Sequence, residues 1–200
     1  MKSLLITAAV SYLLGTIPFG YLLVRVFRGQ DVRQIGSGNI GATNVSRASP
    51  LLGVLTLVLD GMKGLTAVVL TRTVFPGQSF LLGAAAVMAI IGHMFPLWLK
   101  FRGGKGVATG LGSFAPLVPK TVLVMVGIFV AIFLIFRFVS LASILTVALF
   151  PLLLWILEPS KRLPLAGFAA VSSLLIITKH HENIRRLVAH TEPRFQWRKR

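Results

Sequence analysis

Six runs of mostly apolar residues, each close to membrane length, follow one another along this 200-residue chain (residues 3–26, 51–75, 79–99, 120–136, 138–157 and 162–178). A hydrocarbon core of about 30 Å takes roughly 17–25 residues of helix to cross, so this succession leaves few folds open. Only 13% of the residues are charged, against about a quarter in a soluble globule. The mean hydropathy is +0.83. The chain reads as an all-α, polytopic membrane protein. Pro18, Pro96 and Pro151 inside these runs are tolerable where neighbouring helices take up the freed backbone groups. Lys2 ahead of an apolar run superficially suggests a signal peptide. No small-residue cleavage site leads into a soluble domain, so residues 3–26 are expected to stay as the first span.

Three glycine- and base-rich stretches adjoin the runs. They are Gly36-Ser37-Gly38-Asn39-Ile40-Gly41-Ala42-Thr43-Asn44 with Arg47, then Lys100-Phe101-Arg102-Gly103-Gly104-Lys105-Gly106, and finally Lys179-His180-His181-Glu182-Asn183-Ile184-Arg185-Arg186. Glycines let backbone N–H groups approach a ligand closely. Arg adds a bidentate fork and Lys a point charge. Such clusters suit a phosphorylated substrate with more than one phosphate.

If the three clusters form one site, they must share a membrane face. The first follows one span and the second follows three, whereas six spans would put the third on the opposite side. Counting the short Gly/Pro-loosened stretch 107–119 as a crossing gives seven spans and restores agreement; five spans would also fit if two of the late segments were interfacial, and seven is the reading taken. Of the 21 Lys and Arg residues, 15 then fall on the cluster side and five on the other (Lys2, Arg72, Lys120, Lys161, Arg162), with Lys63 inside the second span. The positive-inside rule places the clusters and the C-terminus in the cytoplasm and the N-terminus outside. It also accounts for most of the net charge of +16, so nucleic acid is not the expected partner. The expectation is a single polytopic membrane domain over 1–200, with cytoplasmic motif loops at about 27–50, 100–106 and 179–200. The basic tail 190–200 is expected to meet anionic headgroups.

Familiar devices fail one by one. Gly36 to Gly41 spells Gly-x-Gly-x-x-Gly, but without a βαβ unit it is a weak dinucleotide signal. Gly103-Gly104-Lys105-Gly106 is not a P-loop, because Leu99 and Gly106 stand where Gly and Ser or Thr belong. The bland alternative for the first cluster is a loop in which Asn39, Thr43 and Asn44 cap helices, and for Lys100 and Arg102 it is simple anchoring. His93, near the end of the third run, is either a packing residue or part of a site. Asp60 and Lys63 are spaced to pair on one helix. On a helix after Lys179, His180, Asn183, Ile184 and Leu187 share one face, and Glu182, Arg185 and Arg186 the other. His180 and Asn183 are thus the inward polar pair. There is no Cys, no metal-ligand spacing, no Gly-x-Ser-x-Gly elbow and no His-x-x-x-x-Asp motif.

The segments GSGNIGATNVSR (36–47), GHMFPLWLKFRGGKGVATGLG (92–112) and KHHENIRRL (179–187) closely resemble the bacterial acyl-phosphate:glycerol-3-phosphate acyltransferases, the PlsY family. Weaker agreement covers YLLGTIPFG (12–20), LDGMKG (59–64) and VSLAS (139–143). The resemblance implies a seven-span enzyme of the bacterial inner membrane with its active site on the cytoplasmic side. It implies transfer of an acyl chain from acyl phosphate to the sn-1 hydroxyl of glycerol 3-phosphate, the first step towards phosphatidic acid. By motif position Ser37, Arg47, Lys105, His180 and Asn183 are the expected catalytic residues. Gly36, Gly38, Asn39, Gly41, Thr43, Asn44, His93, Gly103, Gly104 and Gly106 are the expected substrate-binding ones. Acyl phosphate, glycerol 3-phosphate and membrane lipids are the expected partners of a monomer that needs no cofactor or metal.

That chemistry suits the residues. An acyl phosphate is already an activated mixed anhydride, so positioning and charge stabilisation suffice without a covalent acyl-enzyme. The hydroxyl proton goes either to His180 or to the substrate's own phosphate. The competing class is a transporter of phosphorylated solutes, where Gly-broken helices and basic loops also occur. Against it, the chain has no duplicated half, and its polar clusters lie on one face.

Overall fold

The computed structural model describes residues 1–160 and 162–195, and all regular structure among them is helical. Lys161 of the outer-side cations, and Arg198, Lys199 and Arg200 of the basic tail, lie outside the described residues. Two compact units divide the chain, the first ending at Leu117 and the second opening at Val118.

The first unit holds α1 (Lys2–Gly15), α2 (Phe19–Arg28), α3 (Ala42–Ala48), α4 (Pro50–Val74), α5 (Ser79–Met94) and α6 (Val107–Phe114). The expected first span, 3–26, is broken at Thr16–Pro18. Pro18 has no N–H to offer the preceding turn, and it biases Ile17 away from helical backbone. Other groups close the break. The Thr16 hydroxyl donates to the Leu13 carbonyl at 2.7 Å, and Lys63 Nζ donates to the Ile17 carbonyl at 2.7 Å. Beyond it α2 is strongly amphipathic, with Gly20 and Val24 buried and Arg25 and Arg28 exposed near its end. Helix α4 packs on α1, α2, α3, α5 and α6, so it is the hub of the unit.

In the second unit α7 (Pro119–Phe136), α8 (Val139–Leu157) and α9 (Arg162–Thr178) pack in sequence, α8 between the other two, and α10 (His181–Val188) follows. Pro151 lies inside α8. It cannot donate to the carbonyl four residues back, and the Ser173 hydroxyl of α9 donates to that Val147 carbonyl at 2.8 Å. A proline inside a span is thus tolerated in the way the sequence suggested, by a donor from the neighbouring helix.

Among the described residues five helical segments are long and apolar enough to cross a membrane, the broken Lys2–Arg28 among them. A sixth is reached if α9 and α10, bent by 58°, count as one span. Helix α6 has eight residues, about 12 Å at 1.5 Å each, which alone does not traverse the core.

Candidate active site

The first cluster is a loop organised around one amide. Asp31 caps a short 3₁₀ turn (Val32–Gln34) by accepting from the Arg33 N–H, and Gly36 and Gly38 follow with φ of 54° and 70°. Asn44, in α3, is buried beneath them. Its Nδ2 reaches three carbonyls, Val32 at 3.1 Å, Ile35 at 2.8 Å and Asn39 at 2.8 Å. Its Oδ1 accepts from the Ser37 N–H at 3.0 Å and from Arg47 Nη1 at 3.4 Å. One side chain thereby sets both the Ser37 backbone and the Arg47 guanidinium. Asn39 closes a smaller turn by accepting from the Gly41 N–H at 2.9 Å. A side chain at Gly36 would strike Arg47 and Asn44, in a left-handed backbone that only glycine adopts readily. Ser37, Thr43 and Arg47 are exposed at the surface of this frame.

The second cluster is folded back onto the end of α5. The last carbonyls of a helix lack partners within it, and here the glycine turn supplies them. Gly103 N–H donates to the Met94 carbonyl and Gly104 N–H to the His93 carbonyl, both at 3.1 Å. Lys100 and Phe101 precede it with φ of 52° and 61°, a left-handed stretch pinned by N–H bonds to Leu97 and Pro96. Gly104 lies so close to His93 that a Cβ there would collide with the imidazole. Lys105 is half-buried, and Gly106, at φ 85°, leads into α6. The two clusters stand on common ground: Leu99 joins Val24, Val32, Ile40, Val45 and Leu52 in one apolar core beneath both.

Not every cation here is available to a ligand. Arg33 is held by Asp31 at 2.6 Å and lies over the Tyr21 ring. Its guanidinium hydrogen bond keeps the Asp31 carboxyl below the usual range. Arg47 differs, since its hydrogen bond goes to a neutral amide. The expected pairing of Asp60 with Lys63 is present at 2.8 Å. What sequence spacing did not signal is His93 beside it, 3.6 Å from the same carboxylate oxygen.

In the second unit the helical reading of the third cluster holds for its inward polar pair but not for Ile184, expected on the same face and exposed. His180 and Asn183 are buried, at 3% and 6% exposure, while Glu182 and Arg185 are exposed. His180 Nδ1 lies 2.7 Å from the Ile176 carbonyl. A carbonyl only accepts, so Nδ1 carries a proton and a neutral ring keeps its lone pair on Nε2. Burial lowers the affinity of the half-buried Lys179 for its proton.

Two further expectations change in this unit. Arg186, expected on the face turned away from His180 and Asn183, donates through Nε to Glu192 at 2.7 Å. The start of the tail is docked, because Glu192 also accepts from Ser140 Oγ and Asn183 Nδ2, both at 2.6 Å. Phe195 continues the attachment by donating its N–H to the Arg137 carbonyl at 2.8 Å and meeting the Phe133 ring edge-on. Burial alone would raise the Glu192 pKa, yet the three donors hold it below its ordinary value. The available signal was modest: Glu192 is one of five acids in the chain, set in an otherwise basic tail.

Among the described residues no group of His, Asp and Glu is placed to hold a metal ion. Fold and site together define an all-helical integral membrane protein whose basic, glycine-rich loops suit phosphate.

A model of the glycerol-3-phosphate acyltransferase family matches residues 5–190. The glycerol-3-phosphate acyltransferase of Desulfotalea psychrophila is 46% identical, over 96% of this chain and 96% of its own. That of Syntrophotalea carbinolica is 43% identical, over 98% of this chain and 100% of its own. The crystal structure of PlsY (YgiH), an integral membrane glycerol 3-phosphate acyltransferase in its glycerol 3-phosphate form, superposes with a TM-score of 0.90 at 38% identity. Its lysophosphatidic acid form gives 0.88 at 37%. Both cover 97% of this chain and 96% of the matched one. The chain belongs to the glycerol-3-phosphate acyltransferase family, as the three motifs implied.

Proposed function

We propose that the protein transfers a fatty acyl group from acyl phosphate to the sn-1 hydroxyl of glycerol 3-phosphate, releasing lysophosphatidic acid and inorganic phosphate. The observation that carries this reading is the shared footing of the first two clusters. One apolar core supports both the Arg47 loop and the Lys105 loop, two cations suited to two phosphate-bearing substrates. The relatives' name and the two ligand forms of the solved structure agree with the acceptor and the product.

The glycerol hydroxyl oxygen attacks the acyl carbonyl carbon, and the bond from that carbon to the bridging phosphate oxygen breaks. The hydroxyl proton passes to a phosphate oxygen of the acyl phosphate, so inorganic phosphate leaves with it and no acyl-enzyme forms. Arg47 and Lys105 offset repulsion between the phosphates and stabilise the charge on the leaving group. Ser37 and the glycine turns of Gly36, Gly38, Gly41, Gly103, Gly104 and Gly106 receive the headgroups, with Asn39, Thr43 and Asn44 shaping the first loop; Gly38, Gly41, Gly103 and Gly104 act by close backbone approach, because their N–H groups are held within the protein. His180 and Asn183 are assigned to the same reaction by motif position. The protein acts as a monomer without a cofactor, in the bacterial inner membrane and with its chemistry on the cytoplasmic side. In this reading 1–200 is one polytopic membrane domain of seven crossings, α6 forming part of a short one and α9 another.

Purified protein in nanodiscs, given palmitoyl phosphate and glycerol 3-phosphate, should form lysophosphatidic acid and phosphate in equal amounts. Lys105→Ala should cut the rate by about 10²–10³, the range for loss of one preorganised donor. Phosphate without lipid, or an unaffected variant, contradicts the assignment. A His180→Ala variant that keeps most of its turnover supports proton transfer to the substrate. A loss restored by imidazole moves the base to His180. Because the chain has no Cys, single cysteines at Gln30 and Lys120 can test sidedness with an impermeant thiol reagent.

A further inference from the structure

Three ionisable side chains meet inside the first unit: Asp60 and Lys63, which this chemistry leaves unused, and His93, which the motif places among the substrate-binding residues. Asp60, Lys63 and His93 are all buried. Asp60 pairs with Lys63 at 2.8 Å, and His93 Nδ1 stands 3.6 Å from the same oxygen. Lys63 continues to the Ile17 carbonyl at the break between α1 and α2. Asp60 lies about 15 Å along α4 from Pro50, at 1.5 Å per residue. Ionisable groups at such depth cost stability, and apolar residues of similar volume often hold a core at least as well. Packing alone therefore does not account for them.

Their position gives a reason. Gly61 of α4 faces the Ala108 carbonyl and Gly64 faces the Thr109 carbonyl, so the Lys105 loop enters α6 at the level of the ion pair. His93 touches that loop twice, its carbonyl accepting the Gly104 N–H and its ring lying against the Gly104 α-carbon. We infer that Asp60, Lys63 and His93 are positioning residues, a buried strut that sets the Gly103–Gly104 turn and through it the Lys105 ammonium. The inference rests on the role assigned to Lys105 above.

The test is a double-mutant cycle on purified enzyme, reading kcat and KM for lysophosphatidic acid formation beside thermal unfolding. Asp60→Asn with Lys63→Met removes both charges at similar volume, and Gly104→Ala presses the turn against the His93 ring while leaving the Asp60–Lys63 pair in place. Each is made with Lys105 present and in the Lys105→Ala background. The expected result is at least a tenfold fall in kcat/KM with Lys105 present, and less than a twofold further fall without it. Equal losses in both backgrounds, or full activity of the charge-free pair variant, overturn the strut. If the paired variant does not fold, Gly104→Ala decides by the same criterion. A fully active Lys105→Ala protein instead overturns the role of Lys105 itself.

Discussion

The first and third clusters both present polar side chains beside membrane-length helices, but they are built on opposite principles. In the first, a neutral amide does the organising: Asn44 gathers three carbonyls, one N–H and a guanidinium. In the third, a carboxylate does it, with Glu192 gathering a hydroxyl, an amide and a guanidinium. An amide brace is indifferent to pH, whereas a carboxylate brace is not. The loop meant to receive anions is thus framed without adding negative charge under Arg47. The anion in the second unit sits where it also neutralises Arg186.

Substitution can break each brace separately. Asn44→Ala should have the largest effect on stability, since it strips partners from buried carbonyls at about 1–3 kcal/mol per group left unsatisfied. A marked fall in the unfolding temperature, with loss of activity, is expected. An unchanged midpoint would show that Asn44 is not the organiser.

Glu192→Gln should cost less, about 1–3 kcal/mol, because an amide oxygen can still accept one or two of the three bonds. The same brace gives the wild type a pH signature. The folded-state pKa lies below the ordinary 4.5, so the carboxylate's contribution is complete above 4.5 and is lost as pH falls through the folded value. The unfolding midpoint of wild type should drop on acidification in that window, and that of Glu192→Gln should drop less. Parallel curves would remove Glu192 from the account. The smallest effect belongs to Arg185→Ala. Arg185 is exposed and lies outside the carboxylate's reach, so a change within about 0.5 kcal/mol is expected. A larger one would mean the clamp extends further than Arg186.

The same contrast explains what could be read before any coordinates. Motif loops, the inward face carrying His180 and Asn183, and the Asp60–Lys63 pair follow from local spacing, which the chain displays directly. The break at Pro18 was hidden because an apolar run reads through a proline, and its closure depends on Lys63, distant in sequence. Glu192 escaped for a similar reason: its partners Ser140 and Asn183 belong to other elements, and a lone acid in a basic tail has no periodicity. Asn44 was visible as a residue that could cap a helix, but not as the hub of a loop. The missing information is tertiary in each case.

The Ser173–Val147 contact has a consequence for how the protein is made. Beside Pro151, the Val147 carbonyl lacks its own helix donor, and an unsatisfied polar group in hydrocarbon costs several kcal/mol. During biosynthesis α8 emerges before α9, so this cost falls on α8 until the serine arrives. Insertion of the two helices together, as a hairpin leaving the translocation machinery as one body, avoids that exposed intermediate.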